Sequence, residues 1–108
     1  MAIYCFDLDG TIFDSLNGIY YSLEHACNKF NLKLISKQKF KKHIGPPLKN
    51  YLNSVITSKI DDSLIKEIIN EFRVHHDNEG YKYYSIYPNM INILGLLKKE
   101  NHLIILTN

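Results

Sequence analysis

The sequence predicts an α/β fold in which two parallel strands, one near each end of the chain, flank a long helical insertion. Three features carry that expectation. An apolar run, Ala2-Ile3-Tyr4-Cys5-Phe6, passes directly into Asp7-Leu8-Asp9-Gly10-Thr11. A second run, Leu103-Ile104-Ile105-Leu106, delivers Thr107 and Asn108. Between them, apolar residues recur at helical spacing through most of the chain. Short continuous apolar runs read as strands buried on both faces. Two of them joined through a helix imply a parallel pair, and such a crossover needs about a dozen residues. The intervening stretch is far longer. Residues 1–14 and 88–108 are therefore expected to form one unit, and residues 15–87 a separate helical module with its hinge segments.

Each element has a local cause. Asp14 or Ser15 is placed to cap a helix. Leu16, Ile19, Tyr20, Leu23, Ala26, Cys27 and Phe30 then carry one apolar face towards Asn31. Residues 33–35 are a connector, and Ser36 caps a short basic helix that ends by Gly45. Pro46-Pro47 restarts the chain, and Leu48, Tyr51, Leu52, Val55 and Ile56 form the next apolar stripe. Asp61 or Asp62 opens a longer helix with Leu64, Ile65, Ile68, Ile69 and Phe72 inward, and Gly80 ends it. Residues 81–87 are aromatic without helical period and read as an extended linker. Pro88 suits the first turn of a further helix. Met90, Ile91, Leu94 and Leu97 form its apolar face, with Lys98 and Lys99 near its negative end. Asn101 reads as a left-handed cap before the final strand.

Composition narrows the function classes. The chain has 108 residues, of which 45% are hydrophobic, the proportions of an ordinary globular domain. Thirteen basic and eleven acidic residues leave a net charge of +2, too balanced to argue for nucleic acid or an anionic membrane as partner. Arg73 is the only arginine, which argues against bidentate phosphate clamps built on Arg within this segment. Cys5 and Cys27 read as small apolar fillers in a reducing compartment, with no disulfide framework or metal spacing. No apolar run is long enough to span a membrane, and no charged-then-apolar leader opens the chain, so a cytoplasmic location is expected.

The chemistry-bearing feature is the pair Asp7 and Asp9, emerging where a hydrophobic strand ends. In open α/β sheets that edge is where ligands bind. Charge placed there calls for a cation close by. Gly10 permits a tight turn, and the amides of Gly10 and Thr11 can face an anion. An isolated Asp-x-Asp reads as a polar turn. The longer string Asp7-Leu8-Asp9-Gly10-Thr11-Ile12-Phe13-Asp14-Ser15, however, resembles the first signature of the haloacid dehalogenase-like superfamily of phosphohydrolases, residue for residue.

That resemblance implies a mechanism. Asp7 corresponds to a nucleophile that becomes an aspartyl phosphate, and Asp9 to the general acid and then general base. Their environments differ enough for one to stay ionised while the other holds a proton. Mg²⁺ is implied between Asp7 and the phosphate, with Asp9 as a second metal ligand. The Leu8, Asp9, Gly10 and Thr11 segment would hold phosphoryl oxygens. Leu103-Ile104-Ile105-Leu106-Thr107-Asn108 resembles the second signature, in which the Thr107 hydroxyl and the Asn108 amide donate to the phosphoryl group. The family's architecture is a Rossmann-like core, and residues 15–87 resemble its inserted α-helical cap. Gly45-Pro46-Pro47-Leu48 resembles a recurrent cap element of the phosphoglycolate phosphatase-like branch.

The family's third signature, a lysine, and its fourth, an acidic pair, follow the second and have no counterpart here. Two strands alone would leave apolar surface exposed. The expectation is an N-terminal portion of a longer protein, with little activity by itself and the C-terminal half of the core as its partner. The expected substrate is a small phosphorylated metabolite, with phosphoglycolate-type compounds first by resemblance. Alternatives are a phosphoryl mutase of the β-phosphoglucomutase type, a pyrophosphatase or nucleotidase, and a non-catalytic module built on a truncated core.

Other polar residues have plainer readings. His75 and His76 diverge as neighbours on one helix, which favours cap surface or the cap–core interface over a metal site. Lys41, Lys42 and His43 read as a solvated face that would meet an anionic substrate at most from the cap side. Arg73 reads first as a surface ion pair. Tyr81, Tyr83, Tyr84 and Tyr87 read as hinge packing.

Overall fold

The computed structural model describes residues 1–106; Thr107 and Asn108, with their expected phosphate contacts, lie outside the described residues. The elements run β1 (Ile3–Asp7), β2 (Phe13–Asp14), α1 (Leu16–Lys29), α2 (Lys37–Phe40), α3 (Leu52–Val55), α4 (Asp62–Asn78), β3 (Ser85–Ile86), α5 (Met90–Lys98) and β4 (His102–Leu106). Single 3-10 turns cover Lys41–His43, Leu48–Asn50 and Gly80–Tyr83. Among the described residues, no helix is long and apolar enough to cross a membrane.

β1 and β4 pair in parallel, from Ile3 opposite His102 to Asp7 opposite Leu106. The Leu8 amide extends the ladder by donating to the Leu106 carbonyl at 3.1 Å. Both strands therefore end at one edge, and Asp7 stands on it. This is the α/β arrangement with a parallel sheet that two apolar runs and a crossover helix require. The strands are not buried on both faces, however. Ile3, Tyr4, Cys5, Ile104, Ile105 and Leu106 are exposed, and so are Ile91, Ile93 and Leu96 on α5. The apolar run identified the strands correctly, but burial on two faces needs covering layers that the described residues do not supply. Cys5 is accordingly not a core filler, whereas Cys27 is buried.

The buried core lies in the helices instead. Leu23 and Cys27 of α1, Phe40 of α2, Leu52 and Val55 of α3 and Ile68 of α4 are all fully buried together. Tyr20 sets its ring edge-on to Phe40 at 5.3 Å and donates its hydroxyl to the Ile35 carbonyl at 2.8 Å. The helix starts follow the sequence. Ser36 accepts from the Lys39 amide, and Asp61 accepts from the Leu64 amide at 2.8 Å. Ser15 is the N-cap position of α1, but its hydroxyl makes no capping bond, while Asp14 accepts from the Leu16 amide at 3.3 Å. Asn31 closes α1 with φ 56°, a left-handed stop.

Two local expectations fail. Asn101 is not left-handed; its side chain donates to the Leu97 carbonyl and accepts from the Ala2 amide, tying α5 to the start of β1. The left-handed position is Asn89, before α5. The aromatic stretch is also no simple linker. It forms the 3-10 turn Gly80–Tyr83 and then β3, which pairs antiparallel with β2 through Phe13–Ile86 and Asp14–Ser85. That small ribbon joins the two passages of chain between the strand pair and the helices. A two-residue strand has no periodicity to read, so nothing in the sequence announces it.

Candidate active site

The turn after β1 is built from backbone bonds. Ile12 and Phe13 amides both donate to the Leu8 carbonyl at 3.0 Å, and the Gly10 amide donates to the Phe13 carbonyl at 2.8 Å. Gly10 has φ +79°, a left-handed conformation that disfavours side chains. The Leu8 amide serves the Leu106 carbonyl and lies 3.0 Å from Asp7 Oδ1. The amides of Leu8 and Gly10 are thus engaged within the fold. Those of Asp9 and Thr11 have no partner among the described residues.

Asp7 and Asp9 meet in a cleft of about 470 Å³ between the strand edge and the helical module. Its far wall comes from two places in the chain. The segment from Ile44 to Lys49 supplies one side, and Ile69, Phe72, Arg73 and His76 of α4 supply the other. Ile19 of α1, Tyr51 and Tyr84 complete it. The α4 residues fall at i, i+3, i+4 and i+7, a single helical stripe. That spacing was visible in the sequence, but Ile69 and Phe72 read as core and the polar pair as surface. Only the position of α4 over the strand edge turns the stripe into a site wall.

Several readings change accordingly. Arg73 makes no ion pair among the described residues; it faces the cleft that contains both aspartates. The single arginine therefore shares a cleft with both aspartates, although composition argued against guanidinium recognition of phosphate. Lys41 and Lys42 do not line the cleft, whereas Lys49 does. His43 stacks on Tyr51 at 6.0 Å instead.

The two histidines part as expected of helix neighbours. His75 turns to α1, with Nδ1 2.9 Å from Ser22 Oγ and its ring stacked on His25 at 4.1 Å. Burial and the neighbouring His25 and His76 lower its pKa from the usual 6.5, against an opposing pull from Glu79. His76 enters the cleft, stacks on Phe72 at 5.2 Å and hydrogen-bonds the Tyr84 hydroxyl through Nε2. Burial, with smaller contributions from Asp9 and Tyr51, pushes the Tyr84 hydroxyl up to about 12. The Tyr84 hydroxyl thus stays protonated near neutral pH and is engaged with His76.

The donor set suits a hard cation. Asp7 and Asp9 bring carboxylate oxygens to one cleft, and Mg²⁺ is commonly held by one or two carboxylates with waters and phosphate oxygens filling the rest. Among the described residues no cluster of three or more His, Cys, Asp or Glu side chains stands ready for a metal.

The sequence matches the haloacid dehalogenase-like hydrolase family over residues 4–108. The chain belongs to that family. It is 33% identical over 96 residues to the pyrophosphatase PpaX of Oceanobacillus iheyensis, covering 89% of this chain and 42% of that protein. It is 29% identical over 100 residues to the phosphoglycolate phosphatase of Aquifex aeolicus, covering 93% of this chain and 45% of that protein. A haloacid dehalogenase-like family hydrolase from Streptococcus pneumoniae superposes with a TM-score of 0.87 at 25% identity, covering 98% of this chain and 48% of that one. The chain therefore spans less than half the length of these haloacid dehalogenase-like relatives.

Proposed function

We propose that this chain carries the nucleophile-bearing part of a Mg²⁺-dependent phosphomonoester hydrolase working through an aspartyl phosphate. The observation that carries the reading is the convergence of Asp7 and Asp9 in a cleft at the strand edge. One Asp7 carboxylate oxygen attacks phosphorus and the ester P–O bond breaks. Asp9 gives its proton to the departing oxygen. Asp9 then takes a proton from water as that water attacks phosphorus, which releases inorganic phosphate and regenerates the Asp7 carboxylate. Bound Mg²⁺, held by Asp7 and Asp9, would neutralise phosphoryl charge. The unpartnered amides of Asp9 and Thr11 are the backbone donors available to phosphoryl oxygens. The substrate is a small phosphorylated metabolite, since about 470 Å³ suits a compact molecule.

Turnover by the 108-residue chain alone is expected to be low. Asp7 is exposed and the strand pair is open on its outer faces, so water is poorly excluded. The phosphorylation chemistry is therefore tested apart from turnover, with beryllofluoride as a mimic of the acyl phosphate. Fluorine NMR should show a Mg²⁺-dependent bound signal with the parent chain and with Asp9→Asn, and none with Asp7→Asn. A bound signal that survives Asp7→Asn would remove the nucleophile from the scheme.

A further inference from the structure

Four rings run in a row between α1, α4 and the 3-10 turn Gly80–Tyr83, and none of them lines the cleft. His25 of α1 stacks on His75 of α4, with centroids 4.1 Å apart and planes 23° from parallel. His75 meets Tyr21 edge-on at 4.9 Å, and Tyr21 packs on Tyr83 at 4.8 Å. Ser22 ties the row from beneath. It is fully buried, its Oγ lies 2.9 Å from His75 Nδ1, and a Cβ added at Gly80 would fall within 3.0 Å of that same oxygen. One small cluster thus holds α1, α4 and the 3-10 turn together. Its two ends reach the cleft through the next residues in the chain. Tyr84 follows Tyr83, His76 follows His75, and the two are bonded to each other in the cleft.

The cluster accommodates neutral rings better than charged ones. From α1, His75 faces Tyr21 and His25. On α4 its neighbour His76 has Asp77 at 3.7 Å, and Glu71, one turn back, is committed to Lys29 at 2.7 Å. Glu79 draws a proton towards His75, but its carboxylate is shared with Lys82 at 3.2 Å. Burial and His25 oppose that proton more strongly, and His76 adds to them. A charged His75 could still donate to Ser22, so protonation spares that bond. It costs the half-buried neutral stack, because two protons would set like charges face to face.

We propose that His25, His75 and Ser22 form a proton-sensitive joint: mild acid charges the stacked rings, the 3-10 turn loosens from α1 and α4, and Tyr84 is freed from its place in the cleft. Above the histidine range the row is closed and the cleft keeps its Tyr84 wall. The shape of the cleft then depends on pH through residues outside it, apart from any proton on Asp7 or Asp9.

The test is amide hydrogen exchange of the 108-residue chain, followed by NMR at about pH 7.5 and about pH 5, either side of the ordinary histidine value, and corrected for the intrinsic pH dependence of exchange. The Lys82 and Tyr84 amides report on the turn, donating to the Glu79 and Tyr81 carbonyls at 3.1 Å. The Ile68 amide reports on the helical core. Protection of the two turn amides should fall at the lower pH, on the order of tenfold for each pKa unit by which His75 is lowered, while Ile68 holds. His75→Gln should abolish the fall, His25→Gln should reduce it, and His76→Gln should leave it in place. Circular dichroism melting confirms folding, and His25 is exposed, so its variant serves even if His75→Gln does not fold. Turn protection that ignores pH in the parent chain overturns the joint. So does a fall that persists undiminished in His25→Gln, one that disappears only in His76→Gln, or one that Ile68 shares in full.

Discussion

Replacing Gly18 with alanine sets two effects of opposite sign against each other. In an exposed helix, alanine is better than glycine by about 1 kcal/mol. Gly18, however, is buried on α1 against the 3-10 turn Gly80–Tyr83. A Cβ there would stand under 3.0 Å from the Gly80 carbonyl oxygen and from the Tyr84 ring. Neither neighbour gives way cheaply. The first is backbone; the second packs against Phe13 at 6.4 Å and is bonded to His76. Overpacking of this kind costs about 1–3 kcal/mol. Set against the propensity gain, the net loss is about 0–2 kcal/mol, a fall in Tm of about 4–8 °C per kcal/mol for a domain near this size. Gly95→Ala is the matched control. It also lies within a helix, but an added Cβ meets nothing within 4 Å, so it should gain about 0.5–1 kcal/mol. Thermal melts followed by circular dichroism compare them. If Gly18→Ala melts above the parent temperature by as much as Gly95→Ala does, the tight approach of α1 to the 3-10 turn is not real, and with it goes the placement of Tyr84 in the cleft.

Three further outcomes follow from single side chains. Ser22 is fully buried and bonded to His75, so Ser22→Ala should lose about 1 kcal/mol by urea denaturation. Ser15, equally buried but with no partner for its hydroxyl among the described residues, should lose nothing on the same change, and similar losses at both sites would contradict this. His75 has a pKa lowered by burial and by His25 and His76, so the folded state prefers its neutral form. Its contribution to stability is intact above the ordinary value of 6.5 and is lost as pH falls from there through the lowered folded value. A proton NMR titration should place the His75 midpoint below 6.5 and closer to it in His25→Gln; a midpoint above 6.5 would reverse the sign. Cys5 is exposed, whereas burial pushes the Cys27 thiol up to about 11. A thiol reagent at neutral pH should therefore label one cysteine in the native chain and both in urea.

Elements with a strong local cause were legible in order and type. Ser36 and Asp61 cap their helices because a side-chain oxygen three residues ahead of a free amide needs nothing distant. The parallel pairing of β1 and β4 followed from two apolar runs and a crossover. Features without a local cause were not legible. β2 and β3 are two residues each and exist because Phe13 meets Ile86 across a gap of more than seventy positions. Ser15 looked like a capping residue, yet its hydroxyl is buried without a partner while Asp14 makes the bond.

The candidate site divides the same way. Asp7 and Asp9 are two positions apart in sequence, and a strand followed by a Gly10 turn brings both to one edge by short-range geometry. That much the amino-acid order determined unaided, together with family and fold class. The opposing wall depended on how α4 and the segment from Ile44 to Lys49 lie across that edge. Periodicity assigns Arg73 and His76 to one stripe of a helix, but it carries no information about what the stripe faces. Only packing of the helical core decides that, because the burial of Ile68, Leu52 and Phe40 sets how α4 is turned and so which of its side chains look at the aspartates.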